Sequence, residues 1–229
     1  MCIVGLQKLT LLDYPGRVAC TVFLQGCNFK CPFCYNSSLI DSTDNNFLST
    51  NDFFDFLDKR KKVLDGVAIT GGEPLLNPSI KDFIKKIKEK GFLVKLDTNG
   101  SNPSLLKELI EENLVDYVAM DIKNTFEKYP LTTSVNVEIE NIKNSIFLLI
   151  NSSIDYEFRT TVVKEFHNVE DFKLIGNQIK GAKNYYLQSY QEKNSVISKN
   201  LHPLSKDELQ ACLKVVKEFV NNASIRGID

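Results

Sequence analysis

Apolar residues along this chain follow two rhythms. Short runs rich in β-branched residues, at Val18–Leu24, Gly66–Thr70, Leu93–Asp97, Tyr117–Asp121, Glu157–Val163 and Asn184–Gln188, read as strands. Between them the period lengthens to that of a helix. Ile80, Phe83, Ile84 and Ile87 recur at i, i+3, i+4 and i+7, with Asn77 and Pro78 placed as N-cap and first residue and Gly91 as the stop. Asn102-Pro103 opens the next helix, which carries Leu105, Leu106, Leu109 and Ile110. Ile139, Ile142, Ile146 and Leu149 mark another, Phe172, Ile175 and Ile179 a further one, and Ser205 with Glu208 forms a capping box ahead of the last. Six strands in series, alternating with helices, predict an α/β fold. It is a partial (βα)6 TIM-like barrel with parallel strands and outer helices, short of the eight units of a complete barrel. No repeat or Pro/Gly/Ser-rich linker divides the sequence, so residues 1–229 read as a single domain.

The unusual polar residues fall where strands end. A cysteine-rich loop, 25–36, follows the first strand, and Gly71-Gly72-Glu73-Pro74 follows the second. Asp97-Thr98-Asn99-Gly100 closes the third, and Asp121 and Lys123 close the fourth. Parallel α/β folds place their sites at the carboxyl ends of strands, so these loops are expected at one mouth.

Composition narrows the function classes. Of 229 residues, 43% are hydrophobic and 25% charged, as in a chain able to bury a sizeable core. The formal charge of −1 supplies no general field toward nucleic acid or membrane. No apolar run reaches membrane-spanning length, and the N-terminus lacks a signal-peptide core. Six cysteines without such a signal place the protein in the reducing cytoplasm, where clustered thiols bind metal more often than they pair. Cys20 lies in an apolar strand and Cys212 on the apolar stripe of the last helix, so both read as core.

Cys27, Cys31 and Cys34 are different. Three thiolates in one loop, with no fourth at ligand spacing, can hold a cubane iron–sulfur cluster by three of its four irons. The remaining iron is then open to a small molecule, as an open position is in catalytic zinc sites. The competing zinc reading suffers from a single C-x-x-C pair and only two histidines, His167 and His202, both far along the chain. Gly71 and Gly72 permit close backbone approach, and Glu73 can accept hydrogen bonds from an ammonium group. Alternatively, these residues form an ordinary turn. Asp97, Thr98 and Asn99 have a bland reading as strand-ending turn formers, and Asp121 with Lys123 as a surface pair. Arg159, inside a strand that reads as buried, calls for an anionic partner such as a ligand carboxylate. Neither histidine has an acidic neighbour in sequence, and neither is assigned to catalysis.

The C-x-x-x-C-x-aromatic-C loop together with Gly71-Gly-Glu-Pro74 resembles the radical S-adenosylmethionine (SAM) superfamily. The stretches Leu12-Asp-Tyr-Pro-Gly-Arg17 and Val22-Phe-Leu-Gln-Gly-Cys-Asn-Phe-Lys-Cys-Pro-Phe-Cys34 are similar to the activating enzymes of glycyl-radical proteins, in particular those of anaerobic ribonucleoside-triphosphate reductase. The resemblance implies that Cys27, Cys31 and Cys34 bind a [4Fe–4S] cluster whose fourth iron takes the methionyl amine and carboxylate of SAM. It places Phe33 at the adenine, Gly71 and Gly72 at the methionyl group, and Glu73 at its ammonium. Asp97, Thr98 and Asp121 gather near the SAM carboxylate, around a monovalent cation in some relatives, and Lys123 pairs with that carboxylate. Asn99, Arg159 and Gln188 complete the cofactor-binding set, and Asp13 and Gly16 help receive the substrate polypeptide.

The implied reaction is one-electron cleavage of SAM, giving a 5′-deoxyadenosyl radical that takes a hydrogen atom from a glycine of a partner glycyl-radical enzyme. The electron comes from a reduced flavodoxin- or ferredoxin-type donor, and no catalytic acid or base is needed. Tyr35 and Gln191 depart from the family pattern, which has histidine after the last cysteine in many members and histidine or arginine at the second place. No further cysteines lie between Cys34 and Gly66, so a ferredoxin-like insert is absent. Three rival readings stand beside this one. They are a radical SAM enzyme acting on a small molecule of the deazapurine-forming type, an activase of a pyruvate formate-lyase-like enzyme, and a non-catalytic iron–sulfur electron-transfer or metal-binding module.

Overall fold

The computed structural model describes residues 1–40, 47–192 and 195–228. Eight strands, β1 (Ile3–Thr10), β2 (Ala19–Leu24), β3 (Gly66–Gly71), β4 (Leu93–Thr98), β5 (Tyr117–Asp121), β6 (Asp155–Val162), β7 (Asn184–Ser189) and β8 (Asn222–Arg226), follow chain order in the sheet. The helices between them are α1 (Thr50–Arg60), α2 (Ile80–Glu89), α3 (Pro103–Glu111), α4 (Tyr129–Thr133), α5 (Ile139–Asn151), α6 (Val169–Gln178) and α7 (Lys206–Val216). The α/β architecture and all six expected strands are present. The unexpected strands are β1 and β8, at the two ends of the strand order. Among the described residues no helix is long and apolar enough to cross a membrane.

The chain divides into two compact units. The first comprises Met1–Asn28, Ser38–Thr98 and Ser104–Val118. Here β1 pairs antiparallel with β2, while β2–β3 and β3–β4 are parallel. The middle strands are largely apolar, with Val67, Ala68, Ile69, Val94 and Leu96 buried. Their cover is α2, whose Ile80, Phe83, Ile84 and Ile87 form the expected buried stripe. The helix begins two residues later than the Asn77-Pro78 reading, after Ser79, because Asn77 spends its side-chain oxygen on the Ser79 N–H in a turn (3.3 Å). It ends as expected. Gly91 at φ +90° lets its N–H reach the Lys88 carbonyl and the Phe92 N–H the Ile87 carbonyl, a Schellman closure that aims the chain into β4.

The second unit comprises Phe29–Ser37, Asn99–Pro103 and Ala119–Asp229. Strands β6, β7 and β8 are parallel neighbours, and α6 packs with α7 through apolar faces that include Phe172, Ile175, Leu209, Cys212 and Val216. Two capping boxes start these helices, Asn168 with Asp171 and Ser205 with Glu208; only the second was foreseen. Burial pushes the Cys20 thiol up to about 12 and the Cys212 thiol up to about 11, so both are inert core residues.

Candidate functional site

Within the first unit, the parallel register that sets Leu24 beside Gly71 brings the loop after β2 against the loop after β3. The Gly72 N–H donates to the Leu24 carbonyl (2.9 Å) and the Glu73 N–H to the Gly26 carbonyl (2.8 Å). A Cβ on Gly72 would sit 1.9 Å from the Gly26 oxygen, and one on Gly71 (φ +122°) 2.3 Å from the Leu24 backbone. The close approach that these glycines permit is thus made first by the chain's own backbone, at the residue preceding Cys27. Glu73 is buried and caps the 3-10 turn Pro74–Leu76, accepting from the Leu75 N–H (3.0 Å). The same oxygen accepts from the Thr98 hydroxyl (2.8 Å), which ties the end of β4 to this loop.

Beside Thr98, Asp97 is ion-paired with Lys95, a lysine only 2% exposed. Sequence reasoning missed Lys95. The available signal was a charge inside an apolar strand, two residues from Asp97 and hence on the same face. Asp13 accepts a hydrogen bond from the Thr21 hydroxyl on β2, so its carboxylate braces its own loop. Gly16 lies exposed at the turn of that loop.

In the second unit, Cys31 and Cys34 share one turn closed by the Cys34 N–H donating to the Cys31 carbonyl (3.0 Å). Cys31 is buried and Cys34 half-buried. Phe33, between them, is buried against Phe166 with ring centroids 5.9 Å apart. Asp121 lies between two cations, with the Lys123 Nζ at 2.9 Å and the Arg159 Nε at 3.0 Å. Burial alone would raise the Asp121 carboxyl, yet Lys123 and Arg159 hold it down to about 2. Burial would likewise lower the Lys123 ammonium, but Asp121, then Cys31 and Cys34, push it above the ordinary lysine value. Lys123 is therefore a fixed positive charge within electrostatic reach of two of the cysteines.

The backbone of Lys123 is held as well. Its carbonyl is hydrogen-bonded to His167 Nε2 (2.9 Å), and its N–H donates to the Tyr129 hydroxyl (3.2 Å). Buried His167, its pKa lowered chiefly by desolvation, braces the Lys123 and Val163 backbones. Asn99 accepts from the Ser101 N–H (2.9 Å), as a turn former does. Gln188 lies on β7 opposite Thr161 and Arg226. The Gln191 side chain turns to the Gly227 carbonyl (3.4 Å), and its backbone N–H donates to the Tyr35 hydroxyl (2.7 Å).

In the second unit, the soft donors Cys31 and Cys34 near the half-buried Lys123 ammonium have the chemistry of a thiolate-held cluster. In the first, the side-chain-free backbone at Gly71 and Gly72 leaves Glu73 to receive an ammonium group. Residues 21–176 match the model of the radical SAM superfamily. The chain belongs to that superfamily. A protein of Methanocaldococcus jannaschii, provisionally named a glycyl-radical enzyme activating enzyme, is 33% identical over 232 residues, covering 98% of this chain and 95% of its own length. The pyruvate formate-lyase-activating enzyme of Clostridium pasteurianum is 24% identical over 237 residues, covering 94% and 97%. A crystal structure of a domain of pyruvate-formate lyase-activating enzyme from Bacteroides vulgatus matches the fold with a TM-score of 0.57 at 20% identity, covering 71% of this chain and 99% of that one. This radical SAM chain is thus an enzyme of the glycyl-radical activase group, and its family implies a [4Fe–4S] cluster and SAM.

Proposed function

We propose that this enzyme activates an anaerobic ribonucleoside-triphosphate reductase by removing a hydrogen atom from a glycine of that partner. Bound together, the cluster and SAM supply one-electron chemistry that ends in hydrogen-atom abstraction. The chain's part is to bind, orient and exclude water. Cys27, Cys31 and Cys34 are the cluster's ligands. Gly71, Gly72 and Glu73 receive the methionyl group and its ammonium, with Thr98 orienting Glu73 through their hydrogen bond. Lys123, its charge held by Asp121, attracts the carboxylate together with Arg159. Phe33 serves the adenine, and Asn99 and Gln188 complete the cofactor contacts. Asp13 and Gly16 shape the loop that meets the substrate polypeptide.

Asp97, Thr98 and Asp121 are the residues available to a monovalent cation. Here Asp97 and Asp121 already carry protein cations, Lys95 for the first and Lys123 with Arg159 for the second. The electron donor is a reduced flavodoxin- or ferredoxin-type protein, and neither nucleic acid nor membrane takes part. The protein works in the cytoplasm, as one domain over residues 1–229.

The observation that carries the activase reading is the near-full-length kinship with a protein named for that role. The choice of reductase rests on the likeness of the 12–34 stretch to that branch. A pyruvate formate-lyase-type partner is the second reading, favoured by the Clostridium pasteurianum relative. The deciding experiment reconstitutes the protein anaerobically, reduces it with SAM present, and measures 5′-deoxyadenosine. Candidate partners are then added and examined by electron paramagnetic resonance. A glycine-centred signal with the reductase and none with the lyase is the expected result. The reverse would replace the partner, turnover of a free small molecule would replace the activase reading, and no SAM cleavage would leave only an electron-transfer module.

A further inference from the structure

The cysteine loop has no helix or strand of its own between Cys27 and Cys34, so its shape depends on what holds it from outside. In the second unit that hold comes from the chain just beyond β7. Tyr35, the residue after Cys34, stacks nearly parallel on Tyr190, with ring centroids 5.9 Å apart and an interplanar angle of 7°. Its hydroxyl accepts from the Gln191 N–H at 2.7 Å. The Ser198 N–H donates to the carbonyl of Pro32, which lies between Cys31 and Cys34 (2.9 Å), and the Ser37 hydroxyl donates to the Ser195 carbonyl. Four fastenings thus reach the loop on both sides of Cys34.

At Tyr190 the far end is buried and tied to the sheet. Tyr190 is 1% exposed, and its N–H donates to the Val162 carbonyl at the end of β6 (3.2 Å), so the clasp is anchored on the parallel β6–β7 pair. The Tyr35 hydroxyl meets a main-chain donor that phenylalanine would leave without this bond. The Tyr190 hydroxyl is buried with no hydrogen-bond partner among the described residues, so at that position the ring is the working part.

We propose that Tyr35 is a positioning residue for the cluster-binding loop, fastened by residues 190–191 and 195–198 so that Cys31 and Cys34 are held in ligating geometry and screened from water. This rests on the reading of Cys27, Cys31 and Cys34 as cluster ligands. Tyr35 and Gln191, the two places where the chain departs from the family pattern, are then one device, since each is the other's partner. Groups that orient metal ligands from behind change metal retention about 10–100-fold when removed. Solvent exposure of an iron–sulfur cluster also shifts its potential.

The test uses the reconstituted full chain and reads iron release to a chelator and the cluster's midpoint potential, with far-ultraviolet circular dichroism as the folding control. Tyr35→Phe is expected to release iron about 10-fold faster and Tyr35→Ala up to about 100-fold faster, each with a more positive potential. Tyr190→Phe, which keeps the ring, is expected to match the parent in both. Parent-like release and potential in a folded Tyr35→Ala would overturn the proposal. Should that variant not fold, parent-like values in the near-isosteric Tyr35→Phe would do the same. If the parent itself takes up no iron, the ligand assignment fails, and it does so independently of Tyr35.

Discussion

Asp121 shows how a single side chain acquires its chemistry from neighbours both near and remote in sequence. Its partner Lys123 is two residues away, but Arg159 comes from another strand, and together they hold the carboxyl down to about 2 against an ordinary 3.8. A carboxylate depressed in the folded state stabilises the fold above its unfolded pKa and loses that contribution as pH falls through its folded one. For Asp121 the window lies between about pH 4 and pH 2, and the contribution is on the order of 2 kcal/mol. Asp121→Asn should therefore unfold at lower temperature than the parent at neutral pH, with the gap narrowing as the pH approaches 2. Thermal melts at both pH values check this, and a gap that persists in acid would count against it.

At the same scale, Gly72→Ala places a methyl group 1.9 Å from the Gly26 oxygen, so the two loops must part. We expect a loss of about 1–3 kcal/mol, the usual range for overpacking, and poor iron uptake because the displaced backbone leads directly into Cys27. Iron content after reconstitution is the measurement, and full uptake would refute it. The Gly-Gly-Glu motif was legible in the sequence as a close-approach site. That the approaching group includes the chain's own Gly26 carbonyl was not, because nothing local records which backbone lies opposite.

Among the elements, the strands buried on both faces were readable and the end strands were not. β3 is a continuous apolar run, whereas β8, Asn222–Arg226, has no buried residue and only Ala223 and Ile225 as apolar positions, too short an alternation to stand out. It is fastened instead by chemistry. Arg226 makes two parallel bonds, 2.9 and 3.0 Å, to Glu157 on β6, and its guanidinium lies over the Tyr186 ring at 3.3 Å. Glu157 is 1% exposed, so Arg226→Ala strips the arginine from a buried carboxylate. The expected cost is about 2–3 kcal/mol, below the range for a fully buried pair because Arg226 itself is partly exposed. Hydrogen exchange should then show β8 fraying while β6 and β7 stay protected. Uniform protection would refute the anchoring role.

β1 was hidden for a related reason, since two register irregularities against β2 break its alternation. Helix α1 escaped notice because only Phe53 and Leu57 are buried, while Phe54 and Phe56 blur the stripe. The capping box of α7 was legible because serine and glutamate at that spacing are its usual form. The equivalent box of α6 uses Asn168 and Asp171 and was overlooked.

For the whole molecule, a formal charge of −1 means that docking of the partner is not steered from a distance. The association rate should change by less than about threefold between low and physiological ionic strength, which stopped-flow mixing can measure. A steep salt dependence would reveal a local charged patch that the totals conceal.

The sequence by itself determined the family, the order of strands and helices, and the loops on which the chemistry-bearing residues sit, because each is written in local spacing and apolar period. Tertiary structure alone decided the remote partners: Arg159 for Asp121, Thr98 for Glu73, and Gln191 for Tyr35. Charge pairing and hydrogen bonding act across a few ångströms of space. Spacing along a chain constrains such distances only when both groups share a strand or a helical turn.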